Sequence, residues 1–158
     1  MPSPPMDEYL ENTIEELKRV DHLFYVSLKY TRTVDMIKHV LERIISTHEC
    51  AVEALLQHAK GKKLIDAVPP SPAVRAELLR KIYPSDAVVQ DALNLLALLL
   101  KLRRAKYAVR EEFRRHVTMI ATLDSKEVLE VSIDTVSEYY RKTREFVDYV
   151  HRMITGRE

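Results

Sequence analysis

The chain of 158 residues has the length of a single domain with its own hydrophobic core. Its 25 basic and 24 acidic side chains leave a formal net charge of +1, which excludes a global field that would draw the protein to nucleic acid or to a membrane. The only cysteine, Cys50, excludes an intrachain disulfide and a zinc site built from several cysteines. We therefore predict one domain over residues 1–158, and any electrostatic argument must come from a local cluster of charge.

Composition also favours a cytoplasmic protein. The first residues, MPSPPMDEYLEN, have no basic stretch followed by an apolar core, as a secretory signal would. The longest apolar run, Leu95–Leu100, is far shorter than the roughly 18 residues that indicate a membrane span, so no membrane partner is expected. A 31% share of charged residues matches the composition of thermophile proteins, and we predict a thermophilic source.

The first part of the chain predicts a helical hairpin. A first helix is expected to start after Ser3, with proline near its first turn. Its apolar residues, which recur at helical spacing, are Leu10, Ile14, Leu17, Phe24 and Leu28. The hydroxyl groups of Tyr30–Thr33 favour a capped turn, and a second apolar seam then runs from Val34 to near Gly61. These two helices are expected to pack antiparallel.

Residues 60–70, KGKKLIDAVPP, predict a loop, because they combine Gly61 with a Pro-Pro pair that disfavours helix. Ser71 then predicts an N-terminal cap for a short helix with Pro72 at its first position. That helix is expected to end near Ile82, just before another proline.

The last part of the chain predicts two long helices. The first runs from Ser85 to about Ile120, and its apolar stripe is Val88, Ala92, Leu95, Leu99, Leu102, Val109, Phe113 and Ile120. An unbroken helix of this length would span about 50 Å, so we expect a kink or a projecting end. Asp124 and Glu127 predict a capping box for a final helix. Its tight apolar periodicity indicates a helix that is well packed or paired in a homodimer. The predicted fold is all-α: an up-down bundle of four long helices and one short helix.

A basic stripe on the predicted long helix is the main candidate for a binding site. Residues 101–115 carry seven basic and two acidic side chains. Placed on a helical wheel, four of the basic side chains and one tyrosine share one side: Arg103, Lys106, Tyr107, Arg110 and Arg114. Arginine binds phosphates through paired N–H groups and tyrosine stacks on bases, so this stripe predicts a site for RNA or another polyanion. The alternative is a solvated face whose arginines pair with Glu111, Glu112 or the acidic side of the last helix.

The stretch YAVREEFRRHV contains Arg110 and His116, separated by five residues. This spacing, in a helical chain, resembles the Arg-His motif of the HEPN family of helical nucleotide-binding domains and metal-independent ribonucleases. The resemblance implies a catalytic pair in which His116 transfers protons and Arg110 stabilises charge while a ribose 2′-hydroxyl attacks the phosphate, often across a dimer interface.

The chain is also similar to small uncharacterised helical proteins of archaea, through LKYTRTVDMIKHVLERI and PPSPAVRAELLRKI. No Glu-x-x-His motif, glycine-rich phosphate loop or nucleophile motif is present, so we expect no metal and no cofactor. His48 is expected to be a hydrogen-bonded core histidine. We favour a non-catalytic module that binds RNA or a nucleoprotein through residues 101–116. A HEPN-like ribonuclease and a protein-binding bundle without nucleic acid are the alternatives.

Overall fold

The structure, a computed structural model, describes residues 6–156 of the chain, and it consists of helices and one small sheet. The predicted start of the first helix, after Ser3, lies outside the described residues. In chain order the elements are α1 (Met6–His22), α2 (Val34–Gly61), α3 (Pro72–Ile82), α4 (Ala87–Arg104), β1 (Lys106–Arg110), β2 (Thr118–Thr122), β3 (Val128–Ser132) and α5 (Ile133–Thr155). Helix α1 continues through a π-helical turn, Leu23–Ser27, and a short α-helical turn, Leu28–Tyr30.

Helix α2 is the centre of the fold. Its first turn is capped by the Thr33 hydroxyl, which accepts a hydrogen bond of 3.1 Å from the Met36 N–H. Toward this end Ile44 belongs to an apolar cluster that includes the sheet, whereas Leu55 belongs to a second cluster near the other end. Because α2 crosses both clusters, it joins the sheet end of the protein to the end that carries α3.

The predictions for α2 and α3 are confirmed, whereas the loop predicted over residues 60–70 is observed over residues 62–71, because Lys60 and Gly61 still belong to α2. Helix α2 extends from Val34 to Gly61, residues 62–71 form no helix or strand, and α3 has Pro72 at its first turn and ends at Ile82. Ser71 occupies the cap position of α3, but its side chain makes no capping hydrogen bond. The start of α3 is therefore favoured by the fixed backbone φ angle of Pro72 and not by a side-chain cap.

The predicted all-α bundle of four long helices and one short helix is wrong. The expected helix over residues 85–120 ends at Arg104, and residues 106–132 form a three-stranded antiparallel sheet with strand order β1-β2-β3. Alternate residues of β2 and its flanks are buried in the core: Val117, Met119, Ala121 and Leu123. A period of two is the signature of a strand with one buried face, so these side chains can reach the core together only in extended backbone.

The final helix begins at Ile133, later than the predicted start at Asp124, because residues 128–132 pair with β2. A capping box is formed by Ser132 and Thr135: the Ser132 hydroxyl accepts from the Thr135 N–H at 3.3 Å, and the Ser132 N–H donates to the Thr135 hydroxyl at 3.2 Å. The apolar seam of α5 packs against other parts of the same chain, since Val147 of this seam is buried in the core. Homodimer formation therefore stays a prediction that needs another surface.

Substitution Ser132→Ala is expected to lower the free energy of unfolding by about 1 kcal/mol, because it removes the capping hydrogen bond of α5. Asp124→Ala is the matched control, since Asp124 lies exposed in the β2–β3 turn and caps no helix. Urea denaturation of both variants measures the difference. A larger loss in Asp124→Ala would contradict the observed start of α5.

Candidate nucleic-acid interface

The five residues of the predicted basic stripe occupy three different elements. Arg103 lies in the last turn of α4, Lys106, Tyr107 and Arg110 lie on β1, and Arg114 lies in the β1–β2 loop. All five side chains are exposed to more than a third of their surface. The helical-wheel arrangement that grouped them is wrong, because a strand replaces the helix from residue 106 onward.

The strand alternation separates Tyr107 from its basic neighbours. In the ladder Lys106 and Arg110 stand opposite Thr122 and Thr118 of β2, whereas Tyr107 stands opposite buried Ala121 on the inner face of the sheet. The Lys38 ammonium group of α2 lies 4.4 Å from the centre of the Tyr107 ring. Lys38, from a distant part of the sequence, thus adds a cation to the sheet. Its ammonium group covers one face of the Tyr107 ring.

Most of the basic side chains of residues 101–115 make no ion pair. Arg103 pairs with Glu42 at 3.7 Å and Arg110 pairs with Glu130 at 2.5 Å. Within residues 6–156, the other five have no acidic partner: Lys101, Arg104, Lys106, Arg114 and Arg115. The partners expected for a solvated face, Glu111, Glu112 and the last helix, are not the ones observed. We call these five residues the basic hairpin surface.

The β1–β2 loop, residues 111–117, is held against the start of α2. The Glu112 carboxylate accepts a hydrogen bond of 3.3 Å from the Val34 N–H, at the end of the helix where a negative charge is favourable. The Phe113 N–H donates to the Arg32 carbonyl at 2.7 Å. Two residues of the loop, Glu111 and Phe113, have positive backbone φ angles of 54° and 64°. The loop therefore has a defined conformation although it extends from the edge of the sheet.

Phe113 was predicted to lie in the apolar stripe of a helix, and that prediction is wrong, because the side chain is 74% exposed. Tyr30, two residues before the carbonyl that anchors the loop, is 80% exposed. The Nε atom of Arg32 is buried and has no hydrogen-bond partner within the described residues. Sequence reasoning did not link these residues, since the contact joins segments that are far apart in the chain and no local pattern signals it.

The Arg-His pair of the HEPN-like stretch lies at the loop end of the β1–β2 hairpin. Arg110 is the last residue of β1, and His116 lies two residues before Thr118, the partner of Arg110 in the ladder. Both side chains are exposed, and no hydrogen bond or ion pair joins them. Because the Arg110 guanidinium is paired with Glu130, it would have to leave this carboxylate to reach a phosphate.

The prediction that His48 is a hydrogen-bonded core histidine is confirmed. It is 1% exposed, and its Nε2 lies 3.0 Å from the Thr143 hydroxyl oxygen. Burial lowers the pKa of His48 to about 4. His22 and His39 line one surface cavity of about 330 Å³. Within residues 6–156 no three side chains suited to metal binding converge.

None of the helices formed by residues 6–156 combines the length and the apolar character needed to cross a membrane. Comparison of the chain with protein-family models, with curated proteins and with solved structures finds no match.

Proposed function

We propose that the protein is a non-catalytic RNA-binding module that contacts the RNA backbone through the basic hairpin surface. The observation that supports this proposal is a group of five exposed cations that have no acidic partner in the described part of the chain. They are contributed by the end of α4, by β1 and by the β1–β2 loop. Unpaired lysine and arginine side chains release counterions when they neutralise phosphates, which is the main source of affinity in sequence-independent binding.

The concentration of these cations is local. The whole chain has a net charge of +1, whereas residues 101–115 contain seven basic and two acidic side chains. One of those acidic residues, Glu112, is directed to the N–H of Val34, which reduces its effect on the outer surface. Lys38 adds positive charge beside Tyr107. The resulting surface is suited to an extended polyanion rather than to a single small anion.

The triple variant Arg104→Glu, Lys106→Glu and Arg114→Glu is expected to weaken binding of an oligoribonucleotide at least tenfold. A plot of the logarithm of the binding constant against the logarithm of the salt concentration should become less steep by about 2. Each lost phosphate contact reduces the magnitude of this slope by roughly 0.7. The matched control reverses three exposed cations on α3 and α5 that form no ion pair within residues 6–156: Lys81, Lys142 and Arg152. Fluorescence anisotropy at several salt concentrations measures both variants.

The control has the same net charge as the triple variant, so its affinity should stay within about twofold of the wild type if the contact is local. Circular dichroism should show unchanged thermal midpoints, because exposed charges contribute little to stability. Equal losses in the two variants, or wild-type protein without salt-dependent binding, would contradict the proposal.

The same reactions test the catalytic alternative when the RNA is recovered and analysed on a gel. Under our proposal the RNA stays intact in the presence of EDTA. Metal-independent cleavage that disappears in both Arg110→Ala and His116→Ala would replace the proposal with the ribonuclease activity that the HEPN resemblance implies.

A further inference from the structure

The Phe113 ring is an apolar group that the fold keeps in water. It is 74% exposed, and its residue has a φ of 64°, a region that bulky residues rarely adopt. Such a conformation is unfavourable for a residue other than glycine and persists only when the surrounding structure enforces it. Here the enforcing contacts are the hydrogen bond to the Arg32 carbonyl and the Glu112 carboxylate at Val34. The loop thus keeps an unfavourable backbone conformation although burial of the Phe113 ring contributes little stability to it.

The segments joined by the hydrogen bond from the Phe113 N–H to the Arg32 carbonyl carry groups suited to a nucleotide. Tyr30 precedes the anchoring carbonyl by two residues and exposes 80% of its side chain. The Nε–H of Arg32 is buried and has no hydrogen-bond partner among residues 6–156, although the residue as a whole is only half-buried. Arg114, which follows Phe113 in the chain, is exposed and makes no ion pair with the residues that the structure describes. The backbone hydrogen bond between Phe113 and Arg32 therefore brings together two short segments that carry two exposed aromatic residues and two arginines.

Tyr107, the aromatic residue of the predicted stripe, is less available for stacking. Its ring is 40% exposed and has the Lys38 ammonium group over one face. Phe113 has no such ring or cation contact among the described residues. Phe113 is therefore more accessible than Tyr107 to a base that stacks on this protein.

We infer that Phe113 and Tyr30 form a stacking platform for unpaired bases, with Arg32 and Arg114 placed to bind the adjacent phosphates. The inference rests on the proposed function and specifies its ligand as single-stranded RNA. Bases within a duplex are already stacked on each other, so an exposed ring can accept only a base that is free of a helix. A protein partner that buries the same rings is the competing outcome of the test.

The experiment compares three ligands for each variant: a single-stranded oligoribonucleotide, an RNA duplex of the same length, and heparin, a polyanion without bases. Phe113→Gly is the main variant, because glycine adopts a φ of 64° without strain and only the ring is lost. It should weaken single-strand binding about tenfold, in the range found for one base–aromatic stack. Phe113→Tyr, which keeps a ring, should bind as the wild type does. A 2-aminopurine base in the single strand should lose fluorescence quenching in Phe113→Gly.

Val109→Ala is the matched control, since Val109 is 48% exposed on β1 and offers no ring. It should leave all three affinities unchanged. A tenfold loss confined to single-stranded RNA supports the platform. Unchanged single-strand affinity in Phe113→Gly, or an equal loss for heparin, overturns the platform while the loss in the charge-reversal variant still supports RNA binding. Wild-type protein that binds none of the three ligands overturns the proposed function itself.

Discussion

Replacement of Met119 by alanine is expected to lower the free energy of unfolding by roughly 2–5 kcal/mol. Met119 lies at the centre of β2, is 1% exposed, and packs in the cluster that includes Val131 of β3. Removal of its side chain would leave a cavity between the sheet and the helices, and close-packed surroundings collapse only partly into such a space. Urea denaturation monitored by circular dichroism measures the loss.

Ile120→Ala is the matched control for this prediction. Ile120 is adjacent in sequence but points to the outer face of the sheet, where it is only half-buried, so its loss should be about 1 kcal/mol. A continuous helix over residues 85–120 would place Ile120 in its buried stripe and would reverse the order. A larger loss at Ile120 than at Met119 would therefore contradict the sheet.

Stability is expected to fall by about 3 kcal/mol as the pH decreases from 6.5 to 4, through the titration of His48 alone. Burial holds its pKa at about 4 in the folded protein, against 6.5 for a free histidine. In this pH window the unfolded chain binds a proton that the folded protein does not bind, so unfolding becomes easier by 1.36 kcal/mol per pH unit. Above pH 6.5 both states are neutral and the effect disappears.

The neutral form of His48 is specified by its neighbours. The Thr143 hydroxyl donates to the Tyr139 carbonyl at 2.7 Å, so its oxygen accepts a hydrogen bond from the His48 Nε2–H at 3.0 Å. The imidazole also stacks on Phe146, with ring centres 5.4 Å apart. None of these groups is an acid that could stabilise an imidazolium ion, and the pKa is therefore lowered by desolvation.

His48→Gln tests this prediction, since the glutamine amide can donate to Thr143 but does not titrate. We expect the variant to be less stable than the wild type at pH 7, and the difference to shrink by about 3 kcal/mol at pH 4. Other groups titrate equally in both proteins, so the comparison isolates His48. Curves of unfolding free energy against pH that stay parallel would show that His48 is not the responsible group.

The sequence alone determined the helical hairpin and the short helix, because their signals are local. A threonine cap precedes Val34, a glycine lies at the end of α2, and proline starts α3, so each boundary is specified within one turn of the chain. The apolar periodicity of α2 also placed its buried face correctly, since residues such as Ile37, Ile44 and Leu55 are fully buried. The buried position of His48 was predicted from the same periodicity.

The tertiary structure alone decided where α4 ends and how the candidate site is arranged. No glycine or proline marks the end of α4 at Arg104, and residues 117–123 carry an apolar period of two that competes with a helical pattern. Pairing with β3 and burial against α2 select the extended form, and these gains come from residues distant in sequence. The basic residues of 101–115 could be read from the chain, but the position of Phe113 depends on a hydrogen bond to Arg32, a contact between segments that no local pattern encodes.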